Sequence, residues 1–374
     1  MRIVIARSNP VAPDPRVSKT AEALHDAGHE VHIVAWDRSS QFPLQESNRG
    51  FDINRLHIHA AYGRGLWNFL PLVRWQGGLL RWLWTQRASI DAIHACDFDT
   101  VLPALVLKLF AGKLVVYDIY DFYAEHLRAT PSWVKRLIRV VDLWSIGRVD
   151  AVILADERRR VQIEGSKPKQ LAVVYNTPKD LQASLPGDTS IMRPNSRLHI
   201  VFVGLLQRER GLYELLEVVQ RNPHWSLDIA GFGADSEGIE ARAREIGGVR
   251  FFGRIDYIDS LILYEKADVL VAIYDPSIPN HRYASPNKLF EAMMLEKPVI
   301  VAAGTGMDEI VEAERCGLVV PYGDLDQLEQ TLKMLEEHPE LRSELGAAGR
   351  KAYTRAYSWD QQRKILEDLY HQLS

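Results

Sequence analysis

The sequence predicts an α/β protein made of two Rossmann-like domains, each a doubly wound parallel sheet, facing one another across a cleft. Short β-branched runs alternate with amphipathic stretches from end to end of the 374 residues. The runs are almost continuously apolar, which fits parallel strands covered on both faces. The alternation breaks once, at 179–197, where prolines, a Pro-Gly pair and polar residues read as a linker.

Taken in order, strands are expected at 2–6, 30–35, 53–59, 91–94, 113–118, 151–154 and 171–175 in the first half. In the second half they are expected at 198–203, 227–230, 249–252, 268–273, 298–302 and 318–320. Helical periodicity lies between them at 17–27, 213–220, 235–246, 288–295 and 325–337. Such alternation builds right-handed βαβ units. The expected organisation is a first domain at 1–178, the linker at 179–197, a second domain at 198–352, and a C-terminal stretch, 353–374, that crosses back to the first domain. Ligands of open parallel sheets bind beyond the carboxyl ends of the strands, so the loops there hold the candidate residues.

The length suits two domains of roughly 150–200 residues each. Hydrophobic residues at 47% and charged residues at 25% are the balance of a soluble globular protein. A formal net charge of −4 gives no basic excess for nucleic acid. The 2 cysteines, Cys96 and Cys316, lie far apart, which provides no disulfide framework and fits a reducing compartment. No Cys/His cluster has metal-ligand spacing, so neither a metal nor a cofactor is expected. The start, MRIVIARSNP, lacks a long apolar core, and no window offers about 18 uninterrupted apolar residues. A cytoplasmic protein is expected, with at most a peripheral membrane contact.

The segment YASPNKLFEAMMLEKP, residues 283–298, carries the most information. Ser285 suits an N-cap and Pro286 a first helical position. A helix starting there offers free N–H groups and a partial positive charge to an anion. Lys288 adds a full charge, and Asn287, Lys288 and Glu291 can share one helix face. A carboxylate there can accept hydrogen bonds from two vicinal ribose hydroxyls while the lysine and the helix end hold a diphosphate. An ordinary capped and solvated helix would use the same residues. The neighbouring segments favour the ligand site. VFVGLLQRERG runs from a strand through Gly204 into a basic loop whose Arg208 and Arg210 can grip a diphosphate bidentately. AGFG ends another strand with Gly231 and Gly233. FGRI ends a third with Arg254 and Ile255, where backbone groups can read a base. AGTGMDE is a glycine-rich strand-to-helix turn that lets backbone approach a sugar or phosphate.

Together these segments resemble a family 4 retaining glycosyltransferase of the GT-B fold. The resemblance runs nearly the full length, through DPRVSKTAEALHDAGHEVHIVAWDR, IHACDFDT, VVYDIYDFYAE, VVYNTP, VGLLQRERG, SPNKLFEAM and YSWDQQ. It implies that Glu291 binds the donor ribose and that Arg210, with Arg208, holds the diphosphate. It also implies that Gly306, Met307, Asp308 and Glu309 contact the sugar and phosphates. The chain departs from the family pattern at Tyr283, where a first glutamate usually stands, and at Leu205, where an arginine usually opens the basic loop. It thus resembles a subgroup with a P-N-K-x-F-E donor helix, in which Lys288 supplies the charge that Leu205 lacks.

In the first half, SNPVAPDPR follows the first strand without a G-x-G-x-x-G, which argues against a nicotinamide dehydrogenase. Asn9, Asp14 and Arg16 are candidates to meet an acceptor, as are His94, Tyr120 and Glu125 at later strand ends. Asp97 and Asp121 are candidates to orient or deprotonate an acceptor hydroxyl. Each carboxylate could equally cap a helix. The family often has histidines where this chain has Cys96 and Tyr120. A retaining reaction asks little of a protein base, because the leaving diphosphate can take the acceptor proton, so Lys288 and Arg210 count as catalytic through leaving-group stabilisation.

Two segments mix tryptophan with arginine. Residues 62–87 carry Trp67, Trp75, Trp82 and Trp84 with Arg64, Arg74, Arg81 and Arg87, and no acid. Residues 131–148 carry Trp133 and Trp144 with Lys135, Arg136 and Arg139. This is the composition of interfacial amphipathic helices, although helix–helix core would use the same aromatics. Contact with the inner membrane leaflet would go with a lipid-linked acceptor, such as a polyprenyl-diphosphate sugar or a glycolipid.

The expected activity is therefore retaining transfer of a sugar from a nucleotide-diphosphate sugar to a glycan or lipid-linked acceptor, without a metal. A nucleotide-sugar 2-epimerase-like enzyme would need no acceptor and no membrane face. A catalytically weak scaffold subunit would keep the donor fold but turn nothing over.

Overall fold

The computed structural model describes residues 1–48, 50–61, 68–127, 130–186, 191–283 and 285–374. Arg64 and Trp67 of the first tryptophan segment, and 187–190 of the expected linker, lie outside the described residues. The chain divides into two compact units, Met1–Tyr175 with Arg363–Ser374, and Asn176–Gln362.

The first unit runs β1 (Arg2–Arg7), α1 (Pro15–Asp26), β2 (Glu30–Asp37), β3 (Gln45–Asn48), β4 (Phe51–His57), α2 (Phe69–Thr85), β5 (Ala92–Cys96), α3 (Phe98–Ala111), β6 (Leu114–Ile119), α4 (Tyr123–His126), α5 (Ser132–Ile146), β7 (Ala151–Leu154) and β8 (Leu171–Val173). Its sheet has the order β3-β4-β2-β1-β5-β6-β7-β8. Every pairing is parallel except β3 with β4. The sequence gives no sign of β3, because Gln-Glu-Ser-Asn has no apolar alternation and is held by the ladder to its neighbour.

The second unit runs β9 (Leu198–Leu205), α6 (Leu212–Arg221), β10 (Trp225–Phe232), α7 (Ser236–Arg244), β11 (Val249–Gly253), α8 (Tyr257–Lys266), β12 (Val269–Ala272), α9 (Asn287–Met294), β13 (Val299–Ala302), α10 (Met307–Glu314), β14 (Gly317–Val320), α11 (Leu325–Glu337) and α12 (Pro339–Ala352). A π-helical turn, Tyr353–Tyr357, leads into α13 (Trp359–Leu373). The six-stranded sheet has the order β11-β10-β9-β12-β13-β14, and all its pairings are parallel.

In both sheets the chain lays strands outward on one side of its first strand, then returns to lay the rest on the other side. The reversal falls between β1 and β5 in the first unit and between β9 and β12 in the second. Each unit has its own apolar core. Trp36, Trp75, Leu79, Leu83, Ile93, Tyr117 and Ile146 belong to one, and Phe202, Leu216, Trp225, Ile229 and Leu332 to the other.

Two boundaries differ from the expected ones. The stretch beginning at 179 is part of the second unit, because Arg350 pairs with Asp180 at 2.6 Å and the Tyr353 hydroxyl donates to the Pro178 carbonyl at 2.9 Å. The return to the first unit starts at Arg363 and not at 353, since Tyr357 still packs on Phe290 with ring centroids 5.3 Å apart.

The returning helix is held by a buried polar chain inside the first unit. The Tyr370 hydroxyl lies 2.8 Å from His94 Nδ1, and His94 Nε2 lies 3.3 Å from Asp118 Oδ2. Arg16 donates to both oxygens of Asp118, at 2.7 and 3.3 Å, and to the Val174 carbonyl at 2.8 Å. If His94 donates to the carboxylate, its other nitrogen accepts from Tyr370, which satisfies every member. Burial pushes the Asp118 carboxyl up, but Arg16 and His94 outweigh it and hold the group below its usual value. This geometry corrects the expectation that Arg16 and His94 meet an acceptor. At 4% and 0% exposure they are interior residues of the first unit.

Removing one partner of a buried pair leaves the other charge uncompensated, so Asp118→Ala should cost about 3–5 kcal/mol in urea unfolding. Tyr370→Phe should cost about 1 kcal/mol. The Asp118 contribution should be complete above its ordinary value near pH ~4 and fade as the pH falls through the lower folded value. A pH-independent stability over that range would contradict the pairing.

Candidate functional site

The chemistry of the second unit gathers where its strand order reverses. A turn of 3-10 helix, Arg208–Arg210, follows β9, and Tyr274 follows β12. The Arg210 guanidinium lies 3.8 Å from the centre of the Tyr274 ring. The Asp275 N–H donates to the Glu209 carbonyl at 3.0 Å, which ties the two loops together.

Lys288 enters the same place from the first turn of α9. It is 5% exposed, and its Nζ stands 3.4 Å from the centre of the Phe202 ring on β9. Burial, helped by Arg210 and opposed by Glu291, pushes its ammonium well below the usual lysine value. Gly204 belongs here, because a Cβ on it would lie 3.6 Å from Lys288 Nζ.

Several buried polar atoms of these loops have no hydrogen-bond partner among the described residues: Arg210 Nε, Ser285 Oγ, Asn287 Oδ1, Lys288 Nζ and Asp308 Oδ1. Buried polar groups are rarely left unpaired, and each costs about 1–3 kcal/mol when it is. The first turns of α6, α9 and α10 likewise receive no side-chain cap. Ser285 therefore does not cap α9 as expected; Pro286 holds the cap position, and the helix keeps its N–H groups and positive end. Two cations beside uncapped helix ends have the chemistry to receive an anion with several oxygens.

Glu291 lies one turn further along α9 and is 6% exposed. The Tyr257 hydroxyl, at the start of α8, faces its carboxylate; burial, and then the Glu291 charge, pushes the phenol up. Neither Tyr257 nor Tyr274 could be found from the sequence, since each sits just after an unremarkable strand. His281 was also missed. Its Nδ1 lies 2.8 Å from the Asp275 carbonyl, and burial, together with Arg210, lowers its pKa, so the ring is neutral beside the cations.

The other expected donor residues lie around this place, some of them tied to packing or to local turns. Gly231 and Gly233 are required by packing, because a Cβ would fall 1.8 Å from the Gly204 carbonyl oxygen and 2.2 Å from that of Leu206. Met307 is fully buried and serves the core. Asp308 accepts from the Gly304 N–H at 2.6 Å and braces the turn before Gly306, while Glu309 is exposed. Arg208 is exposed, and its guanidinium lies 5.8 Å from the Tyr213 ring centre. Arg254 lies 4.8 Å from the centre of the exposed Phe232 ring, with Ile255 half-buried next to it.

The first unit carries a second cluster at its own reversal. Arg7, the last residue of β1, forms ion pairs with Asp97, just past β5, and with Asp14 at 2.9 Å. Tyr120, past β6, lies under the guanidinium at 4.3 Å, and its N–H donates to Asp97 Oδ1 at 2.9 Å. Asp97 has φ 64 and ψ 170, a strained backbone for a residue with a side chain. Burial pushes its carboxyl up to about 6, against the pull of Arg7. Sequence reasoning missed Arg7 because it read the position as strand end.

Asp14 caps α1 by accepting from the Val17 N–H at 3.2 Å, and Asn9 donates to it at 2.8 Å, so both are turn residues rather than acceptor contacts. Asp121 pairs with Arg159, and Glu125 accepts from Gln162 at 2.8 Å. Among the described residues no group of three His, Cys, Asp or Glu side chains could hold a metal. No helix among them is long and apolar enough to cross a membrane.

Residues 190–352 match the domain family described as glycosyl transferases group 1, and residues 12–177 match the one described as glycosyl transferase 4-like domain. The chain is 29% identical over 163 residues to a D-rhamnosyltransferase, WbpZ, of Pseudomonas aeruginosa, covering 42% of this chain and 41% of the relative. It is 26% identical over 189 residues to the capsular polysaccharide biosynthesis glycosyltransferase CapM of Staphylococcus aureus, covering 47% of each. It is 27% identical over 194 residues to a GDP-mannose-dependent monoacylated phosphatidylinositol monomannoside mannosyltransferase of Corynebacterium glutamicum, covering 49% of each. The chain thus spans less than half the length of these curated relatives. Among solved structures it resembles a sucrose-phosphate synthase of Thermosynechococcus elongatus, with TM-score 0.78 and 20% identity over 100% of this chain and 99% of that one. It also resembles Anabaena HepE in complex with UDP, with TM-score 0.71 and 15% identity over the same shares.

Lys288 should be a burden to the free protein. Lys288→Met should raise the unfolding free energy by about 1–2 kcal/mol and abolish the stabilisation given by nucleoside diphosphates in a thermal-shift titration. Because the folded ammonium titrates below its unfolded value near ~10.4, wild-type stability should rise with pH between the two. The variant should lose that slope; keeping it would assign the slope to another group.

Proposed function

From a chain that has the GT-B fold and carries a glycosyltransferase domain in each half, we propose retaining, metal-independent transfer of a sugar from a nucleotide-diphosphate sugar to a glycan or lipid-linked acceptor. The observation that carries this reading is the set of unpaired buried polar atoms around Lys288, Arg210 and the open end of α9. A diphosphate supplies the oxygens that such groups lack.

In this reading Lys288, Arg210 and the α9 N–H groups hold the diphosphate. Glu291, steadied by Tyr257, accepts from the ribose hydroxyls. The turn at Gly306 meets the sugar, and the Phe232, Arg254 and Ile255 region meets the base. Catalysis consists mainly in stabilising negative charge on the leaving group. The bond from the anomeric carbon to the diphosphate oxygen breaks, the acceptor oxygen bonds that carbon from the same face, and its proton passes to the released diphosphate. The ammonium and guanidinium draw electron density toward the leaving oxygens, which supports the absence of a metal requirement.

In the first unit Arg7, Asp97 and Tyr120 orient the acceptor hydroxyl. The named relatives act in capsular polysaccharide formation and on a phosphatidylinositol mannoside, which favours a glycan or lipid-linked acceptor here. The reading places the enzyme in the cytoplasm, working at the inner face of the membrane.

Thermal shifts with UDP, GDP and ADP test the donor half. A specific base should raise stability by about 2.7 kcal/mol at a hundred times its Kd. Product anomers followed by NMR should keep the donor configuration, and EDTA should leave kcat unchanged. Conversion of the donor to an epimer without acceptor would replace transfer with epimerisation, and binding without turnover would leave a scaffold. Tyr257→Phe should raise donor KM about tenfold while acceptor KM stays constant. The kcat/KM for acceptor should fall as the pH drops through about 6, where Asp97 takes up a proton, and Asp97→Asn should lose that limb.

A further inference from the structure

Helices α2, α3 and α5 contribute to one core on a single face of the first sheet. Their inward residues are those expected of such a layer. Trp75, Leu79 and Leu83 of α2 are fully buried, and Trp75 stacks on Trp36 with centroids 5.4 Å apart. In α5, Ile146 is buried, and Asp142 accepts from the buried Tyr117 hydroxyl at 2.8 Å.

The outward face is unusual. Trp133, Leu137, Val140 and Trp144 of α5 are 68%, 57%, 58% and 50% exposed. Their spacing of four, three and four residues makes one stripe along the helix. The same layer exposes Phe69, Leu70, Val73 and Trp84 on α2 and Leu109 and Phe110 at the end of α3. Apolar exposure on this scale marks a surface that meets something.

The charges identify the occupant. Lys135, Arg136, Arg139 and Arg148 flank the α5 stripe, and Arg74, Arg81 and Arg87 accompany α2. Arg148 lies 5.1 Å from the Trp144 ring centre and Arg87 lies 4.8 Å from that of Trp84. α2 contains no acid, and the one acid of α5, Asp142, is turned inward to Tyr117. The chain as a whole is acidic, at −4, so these cations are a local feature. A protein partner would be expected to bring depletion of lysine and charge from the centre of the patch. Tryptophan and leucine fringed by free cations suit the boundary of an anionic bilayer, where the rings sit among headgroups and the cations meet phosphates.

We infer that the outer face of α5, continued by α2 and the end of α3, docks the enzyme flat on an anionic lipid surface. This deepens the lipid-linked acceptor reading, on which its purpose rests, although docking itself requires no transfer. The bound face would bring the acceptor-side unit to the membrane where a lipid-linked sugar is presented.

Co-sedimentation of the full chain with phosphatidylcholine vesicles, with and without phosphatidylglycerol, tests this. Binding should require phosphatidylglycerol and weaken with salt. Trp133→Ser with Trp144→Ser should lower the partition coefficient at least tenfold. Neutralising Lys135, Arg136 and Arg148 to glutamine should lower it about fivefold per charge. All these side chains lie at or near the surface, and circular dichroism with a nucleoside-diphosphate thermal shift verifies that each variant is folded. Binding independent of phosphatidylglycerol, or unchanged in the tryptophan variant, overturns the docking surface. So does a wild-type dimer that dissociates in that variant and ignores vesicles. A wild-type chain that ignores vesicles but is stabilised by nucleotide removes only the surface, whereas a wild-type chain that binds vesicles without nucleotide stabilisation removes only the transferase reading.

Discussion

The second unit is organised around a positive charge held out of water without a hydrogen-bond partner among the described residues. Lys288 Nζ has the Phe202 ring below it, Arg210 beside it and Glu291 one turn away. A lone ammonium in that position opposes folding. It stays because the elements around it are fixed by forces that do not involve it. Phe202 belongs to the central strand of a fully parallel sheet, and Leu289, Phe290 and Ala292 lock α9 into the core. Those apolar contacts hold the lysine in place, and the cost it carries is what the proposed diphosphate would relieve. At 231 the chain approaches the Gly204 carbonyl so closely that only glycine fits, which keeps the two strand ends together near the cation.

The first unit shows how depth along a strand separates structure from chemistry. His94 lies inside β5 and Asp118 inside β6, so their partners are other buried groups, and Arg16 reaches in to complete the set. Asp97 and Tyr120 come after the same two strands, and Arg7 ends β1. A shift of two or three residues moves a side chain from the sealed interior to the divergent strand ends, where a substrate can reach it. The two arginines at the two reversals, Arg7 and Arg210, are each stacked on a tyrosine that follows another strand of the same sheet. Stacking leaves Arg210 Nε without a partner among the described residues, whereas the edge donors of Arg7 are already taken by Asp14 and Asp97.

The tryptophan-rich helices divide by the same kind of phase argument. Trp75 is core, and Trp84, Trp133 and Trp144 are surface. Composition could not choose between a core and an interface for these segments, because one helix turns 100° per residue and serves both sides. The phase is set by which residues face the sheet.

The sequence by itself determined the two-domain parallel architecture. Strand periodicity is a local property, and every expected strand is present, while β3 was missed because its polar residues carry no pattern. It also determined the α9 segment, since Asn287, Lys288 and Glu291 are neighbours on one helix turn whatever surrounds them. Only the tertiary structure decided which strand-end residues are free to act. It drew His94 and Arg16 into the interior, gave Gly231 and Gly233 to packing, and brought Tyr257, Tyr274, His281 and Arg7 to the sites from positions with no local signal. The reason is that burial and partnership depend on side chains distant in sequence, and a short-range pattern contains no record of what lies across the sheet.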